Sequence, residues 1–361
     1  MNQNVPMSST TKTRIFKATA ILVLLVFLVF ALVRAKSFIA PLTVATILSL
    51  LILPVARKIE QWKLNRTMAS LLSSLGLFLV SCGFFALVTM QMNNVVEKWD
   101  TMKDTIEPKI EAAANFIITN TPISKKRLDG YEKNIKNLKF IGGSGKGASA
   151  LTYLGKIVSF LGIYLLVFIY VFFMLRFRSK FKTFLLKFFP DQKNKEVNKT
   201  IGETISVAQG YLIGKLKLIG LLAVIYSIGL GISGVSNFIL IAIIAALLTI
   251  IPYLGNIIGF SMAIIFGYLI DGQTSVLIGV TITFVVAQFV ESYILQPYVV
   301  GKDVDLNPFF VILAVIAGNL LWGIVGMVVA IPVLGIVNVV FLHVSSLKPF
   351  GYLFSKTTDN Q

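Results

Sequence analysis

Long apolar segments follow one another along this chain, and shorter polar segments between them carry most of its charge. Many apolar segments are about 17 to 25 residues long, which is the length that crosses about 30 Å of hydrocarbon as a helix. The pattern predicts an all-α polytopic membrane protein with about eight transmembrane helices. We place the spans at residues 18–33, 38–53, 68–90, 151–175, 218–234, 237–270, 276–299 and 308–343.

The polar segments divide the chain into further regions. The longest of them alternates acidic and basic side chains at helical spacing, which is typical of a solvated helix or helical hairpin. The expected regions are a tail with spans 1–3 at 1–92, a hydrophilic helical and extracytoplasmic insertion at 93–150, span 4 at 151–175, basic amphipathic helices at 176–217, a transport core with spans 5–8 at 218–345, and a tail at 346–361.

Basic residues crowd two short segments that follow spans, and the positive-inside rule places such segments in the cytoplasm. Both chain termini are therefore expected on the cytoplasmic side. The net charge of +17 is explained by these segments and by contact with the lipid bilayer, so nucleic acid is not an expected partner. The basic residues are Arg57, Lys58, Lys63, Arg66, Arg176, Arg178, Lys180 and Lys182.

Proline and glycine interrupt two of the C-terminal apolar segments. The sequence I-P-x-L-G occurs at residues 251–255 and again, 80 positions later, at 331–335. Either two structural repeats or two separately kinked helices would explain this match. Residues 237–270 form either a spanning broken helix or a re-entrant hairpin. Helix breaks are expected at Pro252, Gly255, Asn256, Pro332 and Gly335.

A polar stripe follows one face of the seventh span. Thr281, Gln288 and Ser292 are separated by seven and four residues, so they stack along a helix, with Glu291 at the edge. An ionisable side chain inside a span is costly unless it faces a cavity or a partner. Glu291 is therefore a candidate proton or cation site, and the alternative is a structural carboxylate that reaches interfacial water or caps a neighbouring helix.

Catalysis has little support in the sequence. With one cysteine, Cys82, and one histidine, His343, the chain holds neither an internal disulfide nor a zinc-type cluster. Ser233 lies in a Gly-x-Ser-Gly sequence, but only His343 could serve as its base. The glycine-rich residues 142–147 lack the Walker pattern and suit a linker. We expect no enzyme, no catalytic residue, no metal and no cofactor.

The order of these residues resembles the autoinducer-2 exporter family, also called PerM-like permeases. The match includes Gln209, Gly210, the 251–255 motif, Glu291, Leu295, Pro297, Val300, Gly301, Leu306, Pro308, Gly318, Gly323, Gly326, Met327 and Pro332. Three positions depart from the family pattern, at Asn256, Asn307 and Asn319, which leaves the substrate in doubt.

The resemblance implies a transporter of the bacterial cytoplasmic membrane. Some members of the family are associated with export of a small polar signal molecule and others with exchange of sodium or lithium for protons. Accordingly, the expected partners are the bilayer, a small polar solute or a monovalent cation and a proton, and further copies of the chain. The alternative is a non-transporting membrane scaffold that binds partners through residues 93–150 and its basic helices.

Overall fold

The computed structural model describes residues 9–97, 108, 148–252, 254–271, 273–300 and 306–356. Within these ranges the chain is helical, and six helices are long and apolar enough to cross a membrane. The predicted class, an all-α polytopic membrane protein, is confirmed. Most of the predicted insertion at 93–150 lies outside the described residues.

Apart from residues 98–147, almost all of which lie outside the described part of the chain, short connections join the helices. A π-helix directly continues α8, and one short 3₁₀ turn, Asp191–Lys193, precedes α5. The bounds are α1 Ser9–Arg34, α2 Lys36–Gln61, α3 Arg66–Glu97, α4 Ala148–Leu186, α5 Asn194–Ile232, α6 Phe238–Leu248, α7 Leu254–Asp271, α8 Thr274–Val290, the π-helix Glu291–Val300, α9 Pro308–Trp322, α10 Ile324–His343 and α11 Lys348–Phe354.

Helices α2, α3 and α4 pack together in the N-terminal half, and polar contacts tie them at one end of the molecule. Arg178 of α4 donates to Glu60 of α2 over 2.5 Å, and Arg66 at the start of α3 donates to Ser179 over 2.6 Å. We call this end, which carries Arg57, Lys58, Lys63, Arg66, Arg176, Arg178, Lys180 and Lys182, the basic end.

The main core lies among α5, α6, α7 and α8 in the C-terminal half. Along α5, Leu218, Leu222, Tyr226 and Leu230 recur every four residues and are fully buried. The ring of Tyr226 stacks on Phe284 of α8 at 4.6 Å between centroids. This regular apolar face is what a helix needs to pack on its neighbours over several turns.

Helices α6 and α7 form a hairpin, which we call the first hairpin. A Cβ on Gly255 would overlap the carbonyl oxygen of Leu248, and a Cβ on Gly259 would lie 3.0 Å from the Cβ of Ala245. These pairs run in opposite directions along the two helices, so the chain turns back between α6 and α7. With 11 residues, α6 is only about 16 Å long, too short to span.

The sequence allows either a spanning broken helix or a re-entrant hairpin for residues 237–270, and the contacts of the first hairpin distinguish these two structures. Both of its ends lie near the end of α5, since Phe238 contacts Gly231 and Val235 contacts Gly267. It is therefore re-entrant, and the predicted break at Pro252 and Gly255 is the turn at its tip. The turn is closed by a hydrogen bond from the Gly255 N–H to the Ile251 carbonyl, over 3.0 Å.

Helices α9 and α10 form a second hairpin. The chain reverses at Gly323, whose φ of 68° suits a residue without Cβ, and the backbones of Gly318 and Gly326 touch beside the turn. The prediction of a single crossing over 308–343 is therefore wrong. The positive φ at Gly323 reverses the chain, and a continuous apolar pattern does not reveal that turn.

The predicted break at Pro332 and Gly335 is also wrong, because both residues lie inside the continuous helix α10. A proline removes one backbone donor, and a packed membrane helix tolerates that loss. The two I-P-x-L-G sequences thus occupy different places, one at a hairpin tip and one inside a helix. This difference favours two unrelated segments over a structural repeat.

The two hairpins enter the protein from opposite ends. The second begins and ends near the basic end, where His343 of α10 contacts Glu203 of α5 at 3.0 Å and the N–H of Asn307 donates to the Phe354 carbonyl over 2.7 Å. The tip of the first hairpin packs on the flank of the second, in an apolar cluster of Ile251 with Val315, Met327 and Ala330.

A single-cysteine series tests the re-entrant hairpin. In a Cys82→Ser background, Ser236→Cys and Gln273→Cys flank the first hairpin, so a membrane-impermeant maleimide should label both from the same side. Lys348→Cys, at the basic end, should be labelled from the other side. Labelling after permeabilisation controls for reactivity. If Ser236→Cys and Gln273→Cys react from opposite sides, residues 237–270 span the membrane.

Substitution of the tip glycine tests the close approach of α6 and α7. Gly255→Ala should lower the free energy of unfolding by about 1–3 kcal/mol, because its methyl group would overlap the Leu248 carbonyl. The matched control is Gly220→Ala, since nothing lies within 4 Å of a Cβ at that exposed glycine. Denaturation in mixed micelles measures both, and equal stability of the two variants would contradict the packing.

Candidate functional site

Glu291 lies where α8 changes into the π-helix, and its side chain is only 5% exposed. A π-helix is rare, and short π segments inside α-helices are frequent at functional sites because they shift the side chains that follow. Pro297 lies within the same segment and removes a backbone donor. The described span Thr274–Val299 agrees with the predicted seventh span.

Asn256 connects Glu291 to the tip of the first hairpin. It lies in the first turn of α7, and its Nδ2 donates to Glu291 Oε2 at 3.1 Å and to Gln288 Oε1 at 2.5 Å. Gln288 Nε2 in turn donates to Ser292 Oγ at 3.0 Å. These four residues, Asn256, Gln288, Glu291 and Ser292, form what we call the polar cluster.

The polar cluster keeps one unused acceptor. Asn256 Oδ1 is buried and has no hydrogen-bond partner among the described residues. Rotating the amide would turn this oxygen toward the oxygens of Gln288 and Glu291, so the present orientation is the one the network requires. A buried acceptor without a donor is costly, and a ligand that supplies a donor or a positive charge would remove that cost.

Two side chains of α5 lie within electrostatic reach of Glu291. They are Lys215, which is half-buried, and Tyr226, which is fully buried. Lys215 precedes Leu218, Leu222 and Tyr226 by three, seven and eleven residues, so it lies on the buried face of α5. Lys215 and Glu291 therefore interact electrostatically across the α5–π-helix contact, without forming an ion pair within 4 Å.

The structure brings together three of the four residues predicted for the transport path, Glu291, Gln288 and Ser292. Thr281 lies apart: it is exposed and donates to the Leu277 carbonyl of its own helix over 2.8 Å. Pro332 and Gly335 are buried in α10, whose residues Met327 and Ala330 contact the hairpin tip.

Sequence reasoning treated Asn256 as part of a helix break and left Lys215 out of the site. The break was the useful signal for Asn256, because the first turn after a re-entrant tip lies inside the protein. For Lys215 the signal was its spacing from the apolar residues of α5. The sequence prediction places residues 176–217 in amphipathic helices outside the spans, so it does not put Lys215 beside Glu291.

The polar cluster offers hydrogen-bond donors, acceptors and opposite charges within a membrane-spanning bundle. It has no arrangement suited to tightly held metal: among the described residues, no group of three or more His, Cys, Asp or Glu side chains could hold a metal ion.

Comparisons with known proteins agree with this membrane architecture. YueF of Bacillus subtilis is 24% identical over 85% of this chain and 84% of its own length, and MT0215 of Mycobacterium tuberculosis is 24% identical over 98% and 96%. YrrI of Bacillus subtilis is 32% identical, over 41% of this chain and 40% of YrrI. All three carry provisional names as transport proteins. Residues 21–346 match the AI-2E family transporter model, and the chain belongs to this family of multi-pass membrane transporters.

Proposed function

We propose that this chain is a secondary transporter in which the polar cluster forms the binding site. The observation that supports this most directly is the buried Glu291 carboxylate, bonded to Asn256 in the first turn after the re-entrant tip. Discontinuous helices that meet an ionisable side chain within the membrane are typical of transport sites. The chain shows no ATP-binding motif, so a gradient or a partner supplies the energy.

A small polar signal molecule is one cargo that the polar cluster suits. Gln288 and Ser292 are exposed and carry both donors and acceptors, as a hydroxylated solute requires. Such a solute carries no net charge, so its binding would leave the electrostatic interaction between Lys215 and Glu291 unchanged. In this case Glu291 serves as an acceptor for solute hydroxyl groups.

Exchange of sodium or lithium for protons is the second candidate. The unpaired Asn256 Oδ1 favours it, since an amide oxygen beside a carboxylate is the kind of ligand that hard cations take. In this case Glu291 binds a proton and a cation in turn.

The positive-inside rule places the basic end in the cytoplasm and the first hairpin on the outer side of a bacterial cytoplasmic membrane.

A non-transporting scaffold remains the alternative. A scaffold does not require a buried carboxylate that is hydrogen-bonded beside a re-entrant tip. The presence of the Glu291 carboxylate in that position is the reason that we favour transport.

A cation pulse tests the exchange mechanism. Proteoliposomes with an interior pH dye should respond to added sodium or lithium, and Glu291→Gln should abolish the response because the neutral amide neither releases a proton nor attracts the cation. Glu196→Gln is the matched control, since Glu196 is an exposed carboxylate near the basic end and far along α5 from the polar cluster. An unchanged response in Glu291→Gln would rule out this mechanism.

Efflux of labelled autoinducer from loaded proteoliposomes tests the solute mechanism. Asn256→Ala should slow efflux by about tenfold or more, the effect of losing one hydrogen bond to a charged group at about 1.5–3 kcal/mol. Glu196→Gln should match the unsubstituted protein, and gel filtration checks that each variant is folded. If the unsubstituted protein gives neither efflux nor a cation response, the transport proposal itself fails for both cargoes.

A further inference from the structure

A shallow recess opens on the surface of α4, far from the polar cluster. It is lined by Ser179, Lys180, Thr183, Phe184 and Lys187, so four of its five side chains are hydrogen-bond donors and none is acidic. We call it the α4 recess. Lys180, Thr183 and Lys187 are spaced three and four residues apart and therefore share one face of the helix.

The α4 recess lies at the level of the membrane surface. Helix α4 has 39 residues and is about 58 Å long, well beyond the about 30 Å of hydrocarbon, so part of it protrudes. The bond from Arg66 to Ser179 holds the recess beside the short α2–α3 connection at residues 62–65. Connections between spans lie at the membrane surface, and the recess shares that depth.

Its polar groups are available to a ligand. Thr183 Oγ1 and Lys187 Nζ have no hydrogen-bond partner in the part of the chain that the structure describes, and Ser179 accepts from Arg66 but keeps its own hydroxyl proton to donate. Lys180 Nζ lies 5.3 Å from the centre of the Phe177 ring, at the rim of the recess. Glu60 of α2 forms an ion pair with Arg178 of α4, so its carboxylate is already occupied.

Apolar side chains surround these donors. Phe181, Phe184 and Phe188 are 46%, 57% and 69% exposed, and Phe184 packs edge-on against Phe188 at 4.9 Å. Such a surface suits acyl chains and the glycerol region of a bilayer. A soluble phosphate would leave these aromatic faces uncovered, whereas a lipid would cover them.

We propose that the α4 recess is a binding site for an anionic phospholipid, whose phosphodiester is held by Lys180, Lys187, Ser179 and Thr183. The excess of positive charge explains the preference for an anionic headgroup, because the cationic group of a zwitterionic lipid would meet two lysines and none of the five lining residues is acidic. This site is separate from the transport site and does not depend on what the chain transports.

Fluorescence quenching by brominated lipids tests the site. Trp62, Trp99 and Trp322 are replaced by Phe, and Phe184→Trp supplies one reporter in the recess. Brominated phosphatidylglycerol should quench it at a several-fold lower mole fraction than brominated phosphatidylcholine does. The double substitution Lys180→Gln/Lys187→Gln should remove that preference. Lys193→Gln/Lys195→Gln is the matched control, because it removes two exposed lysines outside the recess and should keep the preference.

Equal quenching by the two lipids, or a preference that survives loss of both recess lysines, would overturn the proposal. Added inorganic phosphate separates the two sources of a phosphate group: if it abolishes the preference, the recess binds soluble phosphate and the lipid assignment is wrong. Native mass spectrometry of the unsubstituted protein with equal amounts of the two lipids measures which lipid stays bound. This measurement uses no substituted variant, so a folding defect cannot affect it. An excess of bound phosphatidylglycerol is expected, and equal amounts would contradict the site.

Discussion

The turn at the tip of the first hairpin has to satisfy its backbone polar groups inside the membrane, where water is scarce, and the position of the polar cluster depends on how it does so. Lipid cannot hydrogen-bond to N–H and C=O groups, so an irregular turn survives at this depth only when protein or a wet cavity surrounds it. Here Ile251 is buried against the second hairpin, and the Gly255 N–H bonds back to the Ile251 carbonyl. These contacts fix the direction of α7 and thereby bring Asn256 to Glu291.

Close helix contacts are the means by which the C-terminal half holds these two hairpins. Glycine lies at each of the tight approaches, with Gly255 against Leu248 in the first hairpin and Gly318 against Gly326 in the second. In lipid there is no hydrophobic force between helices, so contact over a large backbone area supplies much of their attraction. The same close packing leaves little freedom at the tip, which keeps the side chain of Asn256 in place.

Much of this fold could be predicted from the sequence, and the reasons for the failures are physical. Apolar length indicates most of the spans, and the ionisable Glu291 marks a candidate site because charge within a span is so unfavourable. Reversals were harder to predict, since Gly323 turns the chain through one positive φ while Pro332 leaves its helix continuous. The partners of Glu291 come from α5 and α7, and no local pattern around residue 291 shows which distant side chains will reach it.

The depth of the polar cluster determines how strongly a charge bound there would respond to voltage. Glu291 directly follows the 17 residues of α8, about 26 Å along the helix, so the cluster lies well inside the hydrocarbon. Moving one elementary charge across the whole membrane changes the free energy by about 2.3 kcal/mol per 100 mV, so a charge moving between the cluster and the membrane face beside Gln273 would sense a large part of that. A neutral solute at the cluster would sense none, and the membrane potential would bias only a charged cargo.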